Sequence, residues 1–215
     1  MSLDAHLIIF AKAPVAGAAK TRLIPALGAA GAAALAERLL EHAVVAGVAA
    51  NLGGVELCVT PADTHPAFVR QQARHGLTLT LQGDGDLGAR MDRALTRALR
   101  DNGLVLLIGT DVPALDAAML RRAAGALAEA DAVFVPALDG GYALVGVCRP
   151  APELFAGVAW STAQVMQQTR ERAAASGLRL AELPAVNDID EPSDLVHLPE
   201  AWRKYLPPST SRSPP

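Results

Sequence analysis

The chain of 215 residues has only two cysteines, Cys58 and Cys148. They form no CxxC pair and no Cys/His cluster, which excludes the usual zinc and dithiol motifs. Both sit in apolar strand-like runs, as expected of reduced core thiols in a cytoplasmic protein. The five histidines (His6, His42, His65, His75, His197) show no metal-ligand spacing. No Gly-x-Ser-x-Gly elbow is present, so a serine hydrolase is not expected. Neither sign of charge dominates. A net charge of -3 gives no reason to expect nucleic acid or a membrane surface as a partner. Met1–His6 has no basic segment followed by a long apolar one, so no signal peptide is expected. No continuous apolar run reaches membrane-spanning length. The alanine-rich stretch Gly28–Leu40 is broken by Glu37 and Arg38 and reads as a soluble helix.

What is present is a sizeable core. Hydrophobic residues make up 51% of the chain, enough for one folded domain of this length. Strand-like and helix-like runs alternate. Leu7–Ala11, Val55–Thr60, Leu77–Gln82 and Leu104–Ile108 read as strands. Helices are expected over about Leu27–Ala49, Pro66–Arg74, Leu87–Arg100 and, capped by Asp116, to about Ala130. The pattern then changes. Ala132–Pro136 and Tyr142–Val147 are separated by Ala137–Gly141, which suggests a hairpin or a strand leaving the sheet. Ser161-Thr162-Ala163-Gln164 fits a capping box, stapled by Trp160 and Val165, for a helix ending near Gly177. Leu178–Leu183 is the last strand, and Pro192–Leu198 a helical turn. The expected fold is therefore α/β: one mainly parallel sheet with helices on both faces. The domain is expected to span residues 1–206, and a Ser/Pro-rich tail, 207–215, to be disordered.

In such sheets ligands bind beyond the carboxyl ends of the strands. Three loops lie there. The first, Ala11 to Leu23, carries Lys12, Lys20 and Arg22 among small residues that let a ligand approach the backbone. Cations in this place can offset the charge of a diphosphate. The loop is not a P-loop: Ala19 and Pro14 stand where that motif needs its two glycines. The second, Gly109–Pro113, puts Asp111 directly after a strand, where a carboxylate can bind a divalent cation bridging two phosphates. Asp116 already caps the following helix, which leaves Asp111 without a structural duty. The third is Asp139-Gly140-Gly141-Tyr142, which also has the composition of a tight turn. A late acidic group (Asp188, Asp190, Glu191, Asp194) could complete a metal site with Asp111. It could equally cap the turn at Pro192.

Four segments together resemble a known family. They are Phe10–Gly17 with Lys20-Thr21-Arg22-Leu23; Gln82 with Asp86–Met91; Gly109-Thr110-Asp111-Val112-Pro113; and Asp139–Gly146. The set resembles the DUF2064 or radical-SAM/selenodomain-associated transferase family, of the glycosyltransferase-A (nucleotide-diphospho-sugar transferase) superfamily. The resemblance covers about Leu7 to Leu195. It implies a single Rossmann-like domain and an enzyme using a nucleotide-diphospho-sugar donor. The alternatives are nucleotidyl transfer from a nucleoside triphosphate to a phosphorylated acceptor, and a non-catalytic nucleotide-binding protein. It implies Mg²⁺ or Mn²⁺ held by Asp111 and, as the best-matched second ligand, Asp190. The nucleotide would lie against Ala11, Lys12, Ala13, Gly17, Lys20, Arg22, Gln82, Gly88, Arg90 and Thr110. Gly140, Gly141 and Tyr142 would border the acceptor. Asp111, Lys20, Arg22 and Asp139 would serve catalysis, Asp139 toward the acceptor hydroxyl. The base, sugar, acceptor and oligomeric state are not set by the sequence.

Overall fold

The computed structural model describes residues 4–205; the Ser/Pro tail lies outside the described residues. The strands are β1 (His6–Lys12), β2 (Val55–Thr60), β3 (Thr78–Leu81), β4 (Val105–Ile108), β5 (Ala132–Pro136), β6 (Tyr142–Val147) and β7 (Leu180–Glu182). They form one sheet in the order β3-β2-β1-β4-β6-β5-β7. β6 runs antiparallel to both of its neighbours, and the other pairings are parallel. β5 and β6 are thus the expected hairpin, but neither leaves the sheet.

The helices are α1 (Ile24–Ala50), α2 (Pro66–His75), α3 (Leu87–Ala98), α4 (Ala117–Ala126) and α5 (Val165–Ala175). Their placement follows from the strand alternation. Leu7, Ile9 and Ala11 of β1 face a core that includes Val44 of α1, Phe68 of α2 and Leu120 of α4. Ile8 and Phe10 face the opposite core, with Met91 and Leu95 of α3 and Met166 of α5. Both faces are covered, so β1 reads as a continuous apolar run rather than an alternating one. A third, smaller cluster joins Leu23, Leu35 and Leu39 to Ile189, Leu198 and Trp202 near the end of the chain.

Three expectations are corrected. First, α1 begins three residues early, at Ile24, and carries a non-helical break at Gly28 (φ 70°). Second, the helical segment Thr21–Ala50 is long and apolar enough to cross a membrane by length and composition alone. In this fold it spends its apolar face on the sheet and on the third cluster. Third, Ser161 does not cap α5. It has a positive φ of 63°. The helix starts only at Val165, without a side-chain cap. Thr162 does the local work instead: its hydroxyl donates to the Ala159 carbonyl and accepts from the Gln164 N–H. Trp160 is not a staple; it packs edge-on to Tyr142 at a centroid distance of 6.3 Å.

One charged group lies inside the sheet. Glu56 of β2 is 2% exposed. Arg97 of α3 forks onto both of its carboxylate oxygens, Thr80 of β3 donates to one of them, and His6 Nε2 lies 3.3 Å from the other. Burial alone would raise its pKa. The hydrogen bonds from His6, Arg97 and Thr80, with the Arg97 charge, outweigh burial and bring it to about 2.

The folded value lies below the ordinary 4.5. The stability Glu56 contributes is therefore complete above that value and is lost as pH falls toward about 2. Glu56→Gln is expected to cost roughly 2–3 kcal/mol at neutral pH, because it strands the Arg97 charge beside a neutral amide. Urea unfolding at neutral pH and at about pH 3 should show the gap between wild type and variant closing in acid. An equal gap at both pH values would refute the ion-pair account.

Candidate functional site

The topology fixes where the site must be. From β1 the chain passes through α1 to β2 and then outward to β3. It returns through α3 to β4 on the other side of β1. The loops after β1 and β4 therefore diverge in opposite directions and leave a crevice at the carboxyl end of the sheet, the usual ligand position in this architecture. Lys20 stands on one side of the crevice and Asp111 on the other. β5 and β7 run parallel to β4, so the β5–β6 turn and the segment after β7 rise at the same end.

The centre of the site is the Lys20 ammonium. Lys20 is held in a left-handed backbone conformation (φ 47°, ψ 47°). Its side chain is 7% exposed. Nζ lies 2.8 Å from Asp111 Oδ1 and 2.9 Å from Asp190 Oδ1, and donates to the Ile189 carbonyl at 2.6 Å. Nζ thus donates to two oxygens and is ion-paired with a third, one oxygen for each of its three N–H groups. Burial alone would lower its pKa; the charges of Asp111 and Asp190 and their hydrogen bonds raise it above the ordinary lysine value. Arg22 Nη1 reaches Asp190 Oδ2 at 3.2 Å. The two carboxylate side chains remain 46% and 40% exposed, so the pair stays open to solvent.

The late acidic segment separates into four different duties. Ile189 is fully buried against Leu23, Leu35 and Leu39. Its N–H donates to the Asp111 carbonyl at 2.9 Å. Asp194 is structural: its Oδ2 accepts from the N–H groups of Asp190 and Glu191. Glu191 is the N-cap of the 3₁₀ turn Pro192–His197. Asp190 is left to pair with Lys20 and Arg22. Asp188 turns the other way and is half-buried. Burial, and then the nearby Asp139 charge, raise its pKa. Neither Asp139 nor Asp188 has a cation partner among the described ion pairs.

The other predicted residues divide. Ala11 and Ala13 are buried, Lys12 is exposed with Nζ on the Ala18 carbonyl, and Gly17 (φ 82°) has open space beside it. Thr110 donates to Asp111 Oδ1 at 3.3 Å. Gln82 is buried, and its amide is fully engaged: Nε2 donates to the Ala11 and Cys58 carbonyls, and Oε1 accepts from Arg90. It therefore clamps the ends of β1 and β2 and orients Arg90. Gly88 is a packing glycine, since a Cβ there would sit 2.6 Å from the Trp160 ring. Tyr142 belongs largely to the core. Its ring meets Phe134 at 4.9 Å, its hydroxyl points at Met91, and burial pushes its pKa far up.

The Asp139–Gly141 turn is braced from two sides. Asp139 Oδ1 accepts from the Gly141 N–H at 2.8 Å, and the Met166 N–H of α5 donates to the Gly140 carbonyl at 2.8 Å. Sequence reasoning missed the Ile189 carbonyl, for which no side-chain signal exists. It also missed the positive φ of Ser161, one residue before the Thr162–Gln164 stretch that meets Gly140. Among the described residues no group of three or more His, Cys, Asp or Glu side chains could cage a metal. A cation here would have two carboxylates and would draw its remaining oxygens from a ligand, as Mg²⁺ sites on phosphates commonly do.

The fold is an α/β domain of the nucleotidyl- and glycosyltransferase type. Residues 44–162 match the model of the uncharacterized bacterial protein family DUF2064, and the chain belongs to that family. It is similar to a solved Desulfovibrio desulfuricans G20 protein provisionally named a nucleotide-diphospho-sugar transferase (29% identity, 95% of this chain and 91% of that one, TM-score 0.82). It shares its fold with 2-C-methyl-D-erythritol 4-phosphate cytidylyltransferase from Thermus thermophilus (19% identity, 92% and 98% covered, TM-score 0.54). It also shares it with glucosyl-3-phosphoglycerate synthase from Mycobacterium tuberculosis, solved with Mn²⁺ and UDP (10% identity, 90% and 75% covered, TM-score 0.54). No curated protein sequence matches it.

Gly140 is the residue on which the β5–β6 turn hangs. Its φ is +93°, and a Cβ would fall 2.2 Å from the Ala163 carbonyl oxygen. Gly140→Ala is expected to destabilise the protein by about 2–4 kcal/mol, from backbone strain and overpacking together. Gly103, where a Cβ would meet nothing within 4 Å, is the control. Similar urea midpoints for the two alanine variants would show that this contact does not hold the turn.

Proposed function

We propose that this protein is a transferase that uses a nucleotide-diphospho-sugar donor and a divalent cation, Mg²⁺ or Mn²⁺, held by Asp111 and Asp190. One observation carries the reading. Carboxylates from two distant parts of the chain converge on a single cationic centre, Lys20 Nζ, at 2.8 and 2.9 Å, beside the crevice where the sheet topology reverses. These are hard oxygen donors already arranged around a positive charge, and so the residues fit a divalent cation. When bound, that cation supplies charge neutralisation at the diphosphate. Lys12 and Arg22, both exposed after β1, would meet the leaving phosphate. The donor class rests also on the likeness to the Desulfovibrio protein.

Nucleotidyl transfer is the second reading, favoured by the fold shared with the cytidylyltransferase. It needs an anionic, phosphorylated acceptor. Asp139 and the half-buried Asp188, which have no cation partner among the described ion pairs, would border the acceptor in this reading and would repel such a molecule. A neutral hydroxyl acceptor suits them better, with Asp139 or Asp188 receiving its proton.

Asp111→Asn should abolish Mn²⁺-dependent binding of nucleotide sugars. The loss should be at least as large as the roughly 10–100-fold that outer-shell changes cost metal sites. A thermal-shift screen of nucleotide sugars and nucleoside triphosphates, with and without Mn²⁺, checks both the donor and the metal, because ligands raise native stability by mass action. Stabilisation by a triphosphate and by no nucleotide sugar would replace the first reading with the second.

A further inference from the structure

We infer that the Lys20 ammonium is the resident cation of the Asp111–Asp190 pair, and that a divalent ion enters only when Lys20 swings out. The inference rests on the metal assignment just proposed and adds an order of events to it. Lys20 Nζ occupies the point on which Asp111 Oδ1, Asp190 Oδ1 and the Ile189 carbonyl converge. Three oxygens surround it within 2.9 Å, as many as it has N–H groups, so the same ammonium has no free side to offer a phosphate. It cannot serve the carboxylates and a diphosphate together.

Three features make the placement a built one. The side chain is buried, its backbone is held in the left-handed region, and the Ile189 carbonyl is fixed by a fully buried side chain. A divalent ion arriving alone would meet a buried like charge 2.8–2.9 Å from both of its carboxylate ligands. A diphosphate changes the balance. It brings oxygens for the metal and a new anionic partner for the freed ammonium, so the two exchanges support each other. Metal and donor therefore load as a unit, and the free protein keeps its two acidic groups neutralised by its own chain.

The test is Mn²⁺ binding without nucleotide, followed by the loss of the free-ion signal in electron paramagnetic resonance. Wild type should bind Mn²⁺ at least about tenfold more weakly than Lys20→Met, and Lys20→Gln should behave like Lys20→Met. Adding Asp111→Asn to Lys20→Met should abolish the gain. Thermal unfolding supplies a second readout: Mn²⁺ should raise the melting temperature of the Lys20 variants far more than that of wild type. It should restore folding if Lys20→Met is unfolded without metal. Equal affinity in wild type and Lys20 variants, lost with Asp111→Asn, would overturn the resident-cation inference and leave the metal site standing. No Mn²⁺ binding by any variant would overturn both.

Discussion

The Lys20 ammonium joins three pieces of chain that are otherwise far apart: the loop after β1, the loop after β4 and the segment after β7. Each of the three would be poorly placed without the others. Asp111 and Asp190 are like charges drawn to one point, and a cation between them is what makes that arrangement stable. The Ile189 side chain anchors the late segment in an apolar cluster, and its backbone ties that segment to Asp111. Burial of one isoleucine thus decides where an acidic residue on either side of it points. Asp190 faces the crevice between β1 and β4, and Asp188 faces the β5–β6 turn.

Stability and chemistry are kept at opposite ends of the sheet. Glu56 lies near the start of β2, away from the strand ends that carry the loops, and its ion pair with Arg97 ties β2 to α3. At the carboxyl end the pattern reverses. There, two non-glycine residues, Lys20 and Ser161, have positive φ, and Asp139 and Asp188 have no counter-charge among the described ion pairs. Backbone strain and uncompensated charge at one end, with a satisfied ion pair near the other, is the distribution expected when a rigid sheet supports a reactive edge. Two further grooves lie elsewhere. One is walled by Glu37, Arg70 and Arg74 between α1 and α2, and its charges are already paired with one another.

Much of the framework was legible in the sequence, because its signals are local. The limits of β2, β5 and β6 follow from apolar runs bounded by turn residues, and Asp116 accepts from the Met119 N–H as an N-cap should. Ser161 shows where locality fails. Its sequence suits a capping box, but Trp160 is drawn onto Gly88 and Tyr142, and the chain turns through a positive φ before the helix can begin. The site was legible by half. A carboxylate at a strand end with a separate cap nearby marks Asp111. The link from Lys20 to Asp190, across 170 residues, depends on tertiary packing that no local pattern encodes. The same packing explains why Gln82 and Gly88, which look like ligand-loop residues, are used to clamp and to pack.

A carboxylate pair that held a cation on phosphate oxygens would serve glycosyl and nucleotidyl transfer alike. The distinction lies across the crevice. An acceptor that is already a phosphate needs positive charge to hold it and no base to activate it. A sugar or alcohol hydroxyl needs the reverse: a carboxylate able to take its proton as the new bond forms. On the proposed acceptor side stand Asp139, whose turn is fixed by Gly140 and α5, and Asp188, whose affinity for a proton is raised by burial and by Asp139. The cations of the described site gather around Asp190 and the first loop, where we propose the donor to bind. That division of charge, positive where a diphosphate would lie and negative where the acceptor would approach, is what favours a hydroxyl acceptor and a glycosyl donor over the alternative.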